Sequence, residues 1–147
     1  MTKTQNFNQI AEDFEFLDDW DDRYKYLIEL GSALEPLDEG ERNARTKVQG
    51  CVSQVWIVGE AEPGSDPVMR FRGDSDAHIV RGLIAVALAI FSGKHAREIL
   101  ETDEMQMFSR LNLSEHITPQ RSNGLRSMVA RIKAEAREAL ARHGADA

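Results

Sequence analysis

Apolar residues return every three or four positions near the start of the chain, at Phe7, Ile10, Phe14 and Leu17. That spacing predicts a short amphipathic helix, with Asn6 available as its N-cap. Asp18-Asp19 offers a second cap. Trp20, Tyr24, Leu27, Ile28 and Leu34 then fall roughly on one face of the helix that follows. Pro36 ends this helical hairpin. From Leu37 to Lys47 the chain is polar, contains Gly40, and reads as a loop. The pattern then changes. Val52, Val55, Trp56, Ile57 and Val58 are β-branched or aromatic and predict a strand running to about Glu60. Glu62-Pro63-Gly64-Ser65-Asp66-Pro67 is a turn, and Val68, Met69 and Phe71 make a second strand ending at Gly73. With a short piece around Thr46 to Gln49, these form a small antiparallel sheet of about three strands, which needs helices over one face.

Asp74-Ser75-Asp76 is placed to cap the next helix, whose Ile79, Val80, Leu83, Ile84, Val86, Ala87, Leu88, Ile90 and Phe91 occupy nearly all its sides. A helix apolar all round is a buried one. Gly82 inside it weakens the helix, so it implies the close approach of another element. Ser92-Gly93-Lys94 stops it. Two shorter helices follow, near Ala96 to Leu100 and Glu104 to Leu111, with Met105, Phe108 and Leu111 as apolar anchors. Thr118 and Pro119 are a good helix start. Leu125, Met128, Val129, Ile132, Ala136 and Leu140 give the stripe of a long last helix closing at Gly144. There is no repeat and no linker. The expectation is one α+β domain over residues 1–147.

The chain's 147 residues are enough for a sizeable core, and its 41% hydrophobic and 29% charged content is ordinary for a globular protein. A net charge of −7 argues against a nucleic-acid partner, because there is no cationic excess to displace counterions. Leu83 to Phe91 is too short to span a bilayer. The start, Met1 to Asn6, lacks the apolar run of an export signal, and one cysteine forms no internal disulfide. A reducing cytoplasm is the expected compartment.

Chemistry concentrates at that cysteine. Cys51 follows Gly50, which tolerates a positive φ, and precedes the first strand, so its thiol is expected at a tight bend on the lip of the sheet. A free cysteine is also, commonly, just a small buried hydrophobe. Arg42, Arg45 and Lys47 approach it along the chain and would favour the thiolate if they lie near it in space. Metal ligation is poorly supported: Cys51, His78, His95, His116 and His143 show no paired spacing, and one thiol cannot anchor a cluster within one chain. The carboxylates Asp18, Asp19, Asp21 and Asp22 read as a metal site or, more simply, as charges at a helix N-terminus. A hydrolase dyad of Cys51 with His78 or His116 has no local support.

Three stretches carry a family resemblance. Gly50-Cys51-Val52-Ser53-Gln54-Val55-Trp56 resembles the sulfur-acceptor segment of the SufE family. Asp74-Ser75-Asp76-Ala77, with Ile79-Val80-Arg81-Gly82-Leu83 and Ser92-Gly93-Lys94, is a second match. His116-Ile117-Thr118-Pro119-Gln120-Arg121-Ser122-Asn123-Gly124-Leu125 is a third. The chain departs from the family at His95-Ala96, where a Thr-Pro pair is expected. The resemblance runs from Phe14 to about Ile132. It implies an α+β fold of the SufE and IscU-like kind, and a function as acceptor of persulfide sulfur from a cysteine desulfurase, for iron–sulfur cluster assembly. Cys51 would carry the sulfur, sheltered until the desulfurase docks. Gly50, Ser53 and Gln54 would shape its loop, Asp74 and Ser75 would lie beside that loop, and Arg121 would belong to the docking face. The implied partners are the desulfurase and a downstream iron–sulfur scaffold. No metal or other cofactor is implied, since pyridoxal phosphate belongs to the desulfurase. A membrane or nucleic-acid partner is not implied, and a homodimer is left open. A non-covalent regulator of the desulfurase and a cluster scaffold are the alternative readings.

Overall fold

The computed structural model describes residues 7–50, 53–113 and 117–144, the side chains of 143 and 144 excepted. The expected Asn6 cap, Cys51, Val52 and His116 lie outside the described residues. Helix α1 (Phe7–Phe16) buries Phe7, Ile10, Ala11 and Phe14. A neighbour takes carbonyls at its end: Arg23 Nε donates to Phe14 O in the last turn at 3.0 Å and to Leu17 O just past it at 2.8 Å. These are acceptors that a helix end leaves unsatisfied. Helix α2 (Trp20–Ser32) is capped by Asp19, whose carboxylate accepts from the Asp21 amide at 3.0 Å. Asp21 and Asp22 occupy its first turn, at the positive end of the dipole. Among the described residues, no group of three or more His, Cys, Asp or Glu side chains is placed to hold a metal ion. Ile28 was expected on the buried face and is 41% exposed. It lies one position, and so about 100°, around the helix from fully buried Leu27.

After a 3₁₀ turn at Glu39–Glu41 come β1 (Val55–Ala61) and β2 (Val68–Ser75), paired antiparallel from Val55 opposite Ser75 to Ala61 opposite Met69. The second strand runs past Gly73, the expected end, because Asp74 and Ser75 stay paired with Trp56 and Val55. The third strand also differs from expectation. It is β3 (Lys94–His95), which pairs with the start of β2. The 46–49 piece instead lies along β1 as a single bridge between Lys47 and Trp56. Val48 N donates to Val55 O at 2.8 Å and Ile57 N to Thr46 O at 2.9 Å before the chain turns away at Gly50, whose φ is +89°.

Helix α3 (His78–Phe91) covers the sheet, with eleven of its residues buried. Its N-terminus corrects one expectation. The N-cap position is Ala77, with no side-chain cap, so Asp74-Ser75-Asp76 does not cap it directly. The Ser75 hydroxyl accepts from the Ala77 amide at 3.2 Å, while Asp74 and Asp76 turn to other work. Gly82 meets its expectation. A Cβ there would lie 2.3 Å from Leu27 O, and one on Gly31 would lie 2.6 Å from Gly82 N. The two helices therefore cross backbone to backbone at this glycine pair. Gly82→Ala is expected to cost about 1–3 kcal/mol in urea denaturation despite alanine's better helix propensity, because the obstruction is backbone that cannot swing aside.

Helix α4 (Ala96–Glu101) begins at the His95-Ala96 departure. His95 makes no side-chain cap there; Asp66, from the turn before β2, accepts from the Arg97 amide at 3.0 Å instead. Helix α5 (Glu104–Leu111) buries Leu111 but leaves Met105, an expected anchor, 55% exposed. Helix α6 (Pro119–Gly144) starts as expected, with Thr118 Oγ1 accepting from the Arg121 amide at 3.2 Å. It buries Leu125, Met128, Val129, Ile132 and Ala136 against the core. Among the described residues no helix is long and apolar enough to cross a membrane.

Candidate functional site

The chain on both sides of Cys51 is held by identifiable contacts. On the near side, Gly50 takes a positive φ of 89°, as its place before the cysteine suggested. It also lies hard against α6: a Cβ at Gly50 would meet Ser127 Oγ at 2.6 Å. Any other residue would be opposed here by the backbone conformation and would have to turn the Ser127 hydroxyl aside. On the far side, Gln54 N donates to Asp76 Oδ1 at 3.1 Å, and Asp76 N donates to Gln54 O at 3.3 Å. This reciprocal pair fixes Gln54 to the junction between β2 and α3. Ser53, half-buried, lies between this clamp and the segment 51–52.

Beneath the clamp sits Asp74, 4% exposed, with Ser75 at 2%. Arg42 Nη2 donates to Asp74 Oδ2 and Arg81 Nε to Asp74 Oδ1, each at 2.7 Å, and the Ser75 amide donates to Oδ1 at 2.8 Å. Burial would raise this carboxyl's pKa. The hydrogen bonds from Arg81, Arg42 and the Ser75 amide overcome that and hold it below the ordinary value. Arg81 Nε also reaches Ser75 O at 3.1 Å, and the Arg42 guanidinium lies 5.8 Å from the centroid of the Trp56 ring. Asp74 thus joins the 3₁₀ turn region, β2 and the first turns of α3. Arg42, one of three cations expected to approach the thiol, is committed to this carboxylate. Arg45 and Lys47 expose their side chains and offer α6 their carbonyls.

Gly50, Ser53, Gln54, Asp74 and Ser75 are therefore gathered at one end of the β1–β2 pair. Arg121 is placed elsewhere, on the first turn of α6, where its Nη1 donates to Tyr24 Oη at 3.3 Å and ties α6 to α2. It stands six residues, about 9 Å along the axis, from the Ser127 that Gly50 touches. A cleft of about 480 Å³ lies between α2 and β2, lined by Tyr26, Leu30, Leu34, Phe71, Arg72 and Leu88 among others, but by none of the predicted site residues. Its Arg72 is occupied by Glu41 and by Glu60 at 3.3 Å. Sequence reasoning gave Arg81 no role beyond its place in the second match, and missed Ser127 altogether.

An α+β domain whose lone cysteine falls in sequence between a glycine of positive φ and a clamped strand start defines the class: a small helix-covered sheet with one thiol in the chain leading into its first strand. The chain belongs to the SufE family, whose model, described as an Fe-S metabolism associated domain, matches residues 8–136. It is 55% identical to an uncharacterized SufE-like protein of Rhizobium meliloti over 135 residues, covering 89% of this chain and 94% of that one. A second uncharacterized SufE-like protein, from Rhizobium etli, is 55% identical over 133 residues, 90% of each chain. The fold matches a solution structure of a hypothetical protein from Thermus thermophilus, with a TM-score of 0.73 and 23% identity over 92% of this chain and 96% of that one. The expected α+β architecture and the family resemblance are both met, and the family associates the chain with iron–sulfur metabolism.

Proposed function

We propose that this protein accepts sulfur from a cysteine desulfurase on Cys51 and passes it on as a persulfide to an iron–sulfur scaffold. The observation that carries the reading is the pair of fixed points flanking the lone cysteine: Gly50 seated on Ser127, and Gln54 clamped by Asp76. Three residues separate them in sequence, which bounds how far the thiol can lie from either point, so a docking partner meets it in a restricted region. In the transfer, the Cys51 thiolate attacks the terminal sulfur of the donor's persulfide. A new S–S bond forms on Cys51, the donor's S–S bond breaks, and the donor cysteine leaves as a thiolate. The exchange is isoelectronic and needs no outside oxidant or reductant. The pyridoxal phosphate that releases sulfur from free cysteine belongs to the donor in this reading, and a reducing cytoplasm keeps the acceptor thiol available. A lone thiol also has an advantage, since no neighbouring cysteine in the chain can resolve the persulfide and lose the sulfur.

The test is mass spectrometry after incubation with a desulfurase and free cysteine. The expected result is a gain of one sulfur, mapped to Cys51 and removed by reductant. Stimulation of the desulfurase with no sulfur found on Cys51 would replace the relay with a non-covalent regulator.

A further inference from the structure

Helix α6 carries three polar residues at helical spacing, Ser127, Arg131 and Glu135, which share one face. Two of them meet the segment 45–50 and the third meets β1. Ser127 touches Gly50. Arg131 Nη1 donates to Lys47 O at 3.3 Å, and Arg131 Nη2 donates to Arg45 O. Glu135 packs on β1, where a Cβ on Gly59 would meet its Oε2 at 2.7 Å. Helix and segment run in opposite directions, so Ser127 and then Arg131 grip the chain between Gly50 and Arg45, while Glu135 rests on Gly59 of β1.

The contacts are unequal. Val48 N and Thr46 O are spent on β1, and among the described residues no strand pairs on the other side of Lys47, so Arg131 supplies a partner for its carbonyl and for that of Arg45. A planar guanidinium suits two carbonyls on alternate residues, whereas an ammonium offers one point charge. Arg131 is itself steadied from behind by Glu135, with Nε 3.9 Å from Oε1. Burial raises the Glu135 carboxyl's pKa, and Arg131 partly offsets this by favouring its charge. Glu135 Oε2 is buried with no hydrogen-bond partner among the described residues.

We infer that Arg131 is a positioning residue for the thiol: it holds the segment 45–50 on α6, and so sets where Gly50 delivers Cys51. This rests on the sulfur-acceptor reading for its purpose, but the test does not depend on that reading. Arg131→Met keeps the aliphatic stem and removes both donors. Arg131→Lys keeps the charge and one donor. Arg70→Met, which breaks the exposed Arg70–Glu62 pair at 3.2 Å, is the control.

The readout is the labelling rate of Cys51 by a small neutral disulfide, taken on the plateau above the thiol's titration. Neither the lost charge nor a shifted thiol pKa then enters the comparison. Amide hydrogen exchange over residues 45–50 is followed in parallel. Arg131→Met is expected to label at least about threefold faster than the parent and to exchange these amides faster. Arg131→Lys is expected between the two, and Arg70→Met at the parent rate. Labelling unchanged or slowed in Arg131→Met would overturn the inference, even if exchange quickened, because Arg131 would then hold the strand without positioning the thiol. Equal acceleration in Arg70→Met would overturn it as well, as a general loosening. If the parent took no sulfur from a desulfurase, the proposed function would fall while these rates still judged Arg131.

Discussion

Cys51→Ser is expected to bind a cysteine desulfurase as the parent does, to gain no sulfur, and to leave the desulfurase at its unassisted turnover. A hydroxyl replaces a thiol of nearly the same size, so shape is kept and nucleophilicity is lost. Serine's hydroxyl is a weak nucleophile without a general base beside it. His78, offered by the sequence as a dyad partner, is exposed at the start of α3. The measurement is desulfurase turnover at rising concentrations of parent and variant, with binding followed separately by calorimetry. A variant that stimulated as well as the parent would sink the relay. A variant that no longer bound would leave stimulation unable to report on sulfur transfer, and the mass of the parent after incubation would then decide.

The elements that repeat a local period were legible before any coordinates. α1, α3 and α6 follow from apolar spacing, and the Gly82 crossing follows from a glycine that nothing else in a buried helix explains. Thr118 and Asp19 behave as caps because a cap is a local property of the chain. What failed was decided by partners far away in sequence. The piece 46–49 looked like a third strand, yet its Lys47 carbonyl, and that of Arg45 just before it, are claimed by Arg131, more than eighty residues later. Asp74-Ser75-Asp76 looked like a helix cap, since three small polar residues before an apolar run usually are. Here Arg42 and Arg81 draw Asp74 inward, and the Gln54 amide draws Asp76 away. For the site, the positive φ of Gly50 was readable because that conformation favours glycine. The polar row Ser127, Arg131 and Glu135 was present at four-residue spacing, but surface salt-bridge rows look the same in sequence. Only the strand lying against it marks this one out.

As a residue of a strand-to-helix junction, Asp74 would tolerate replacement with the fold intact if all it did were to stiffen that junction. Its burial under two guanidiniums gives a different expectation. Asp74→Asn leaves an amide NH₂ facing an arginine donor, and leaves Arg42 and Arg81 without their counter-charge. Removing one partner of a buried pair costs several kcal/mol. Both arginines are about a third exposed at the side chain, at 36% and 35%, so water recovers part of that loss. The expected cost is about 2–4 kcal/mol at pH 7, a fall of roughly 5–12 °C in Tm. The pH dependence has a definite sign. The folded pKa lies below the unfolded one, so the stabilisation is fully present above the unfolded value, near about 3.9, and is lost as pH falls through the folded pKa. Parent and variant should therefore differ by a constant amount from pH 7 to roughly pH 5 and converge below roughly pH 4. Asp76→Asn is the control, since Asp76 is exposed and accepts one amide hydrogen bond. Urea denaturation of all three proteins at several pH values measures the gap. A gap for Asp74→Asn that is absent at pH 7, or that does not close in acid, would mean the arginines do not hold this carboxylate ionised. Asp74 would then have no part in bracing the strand end beside Cys51.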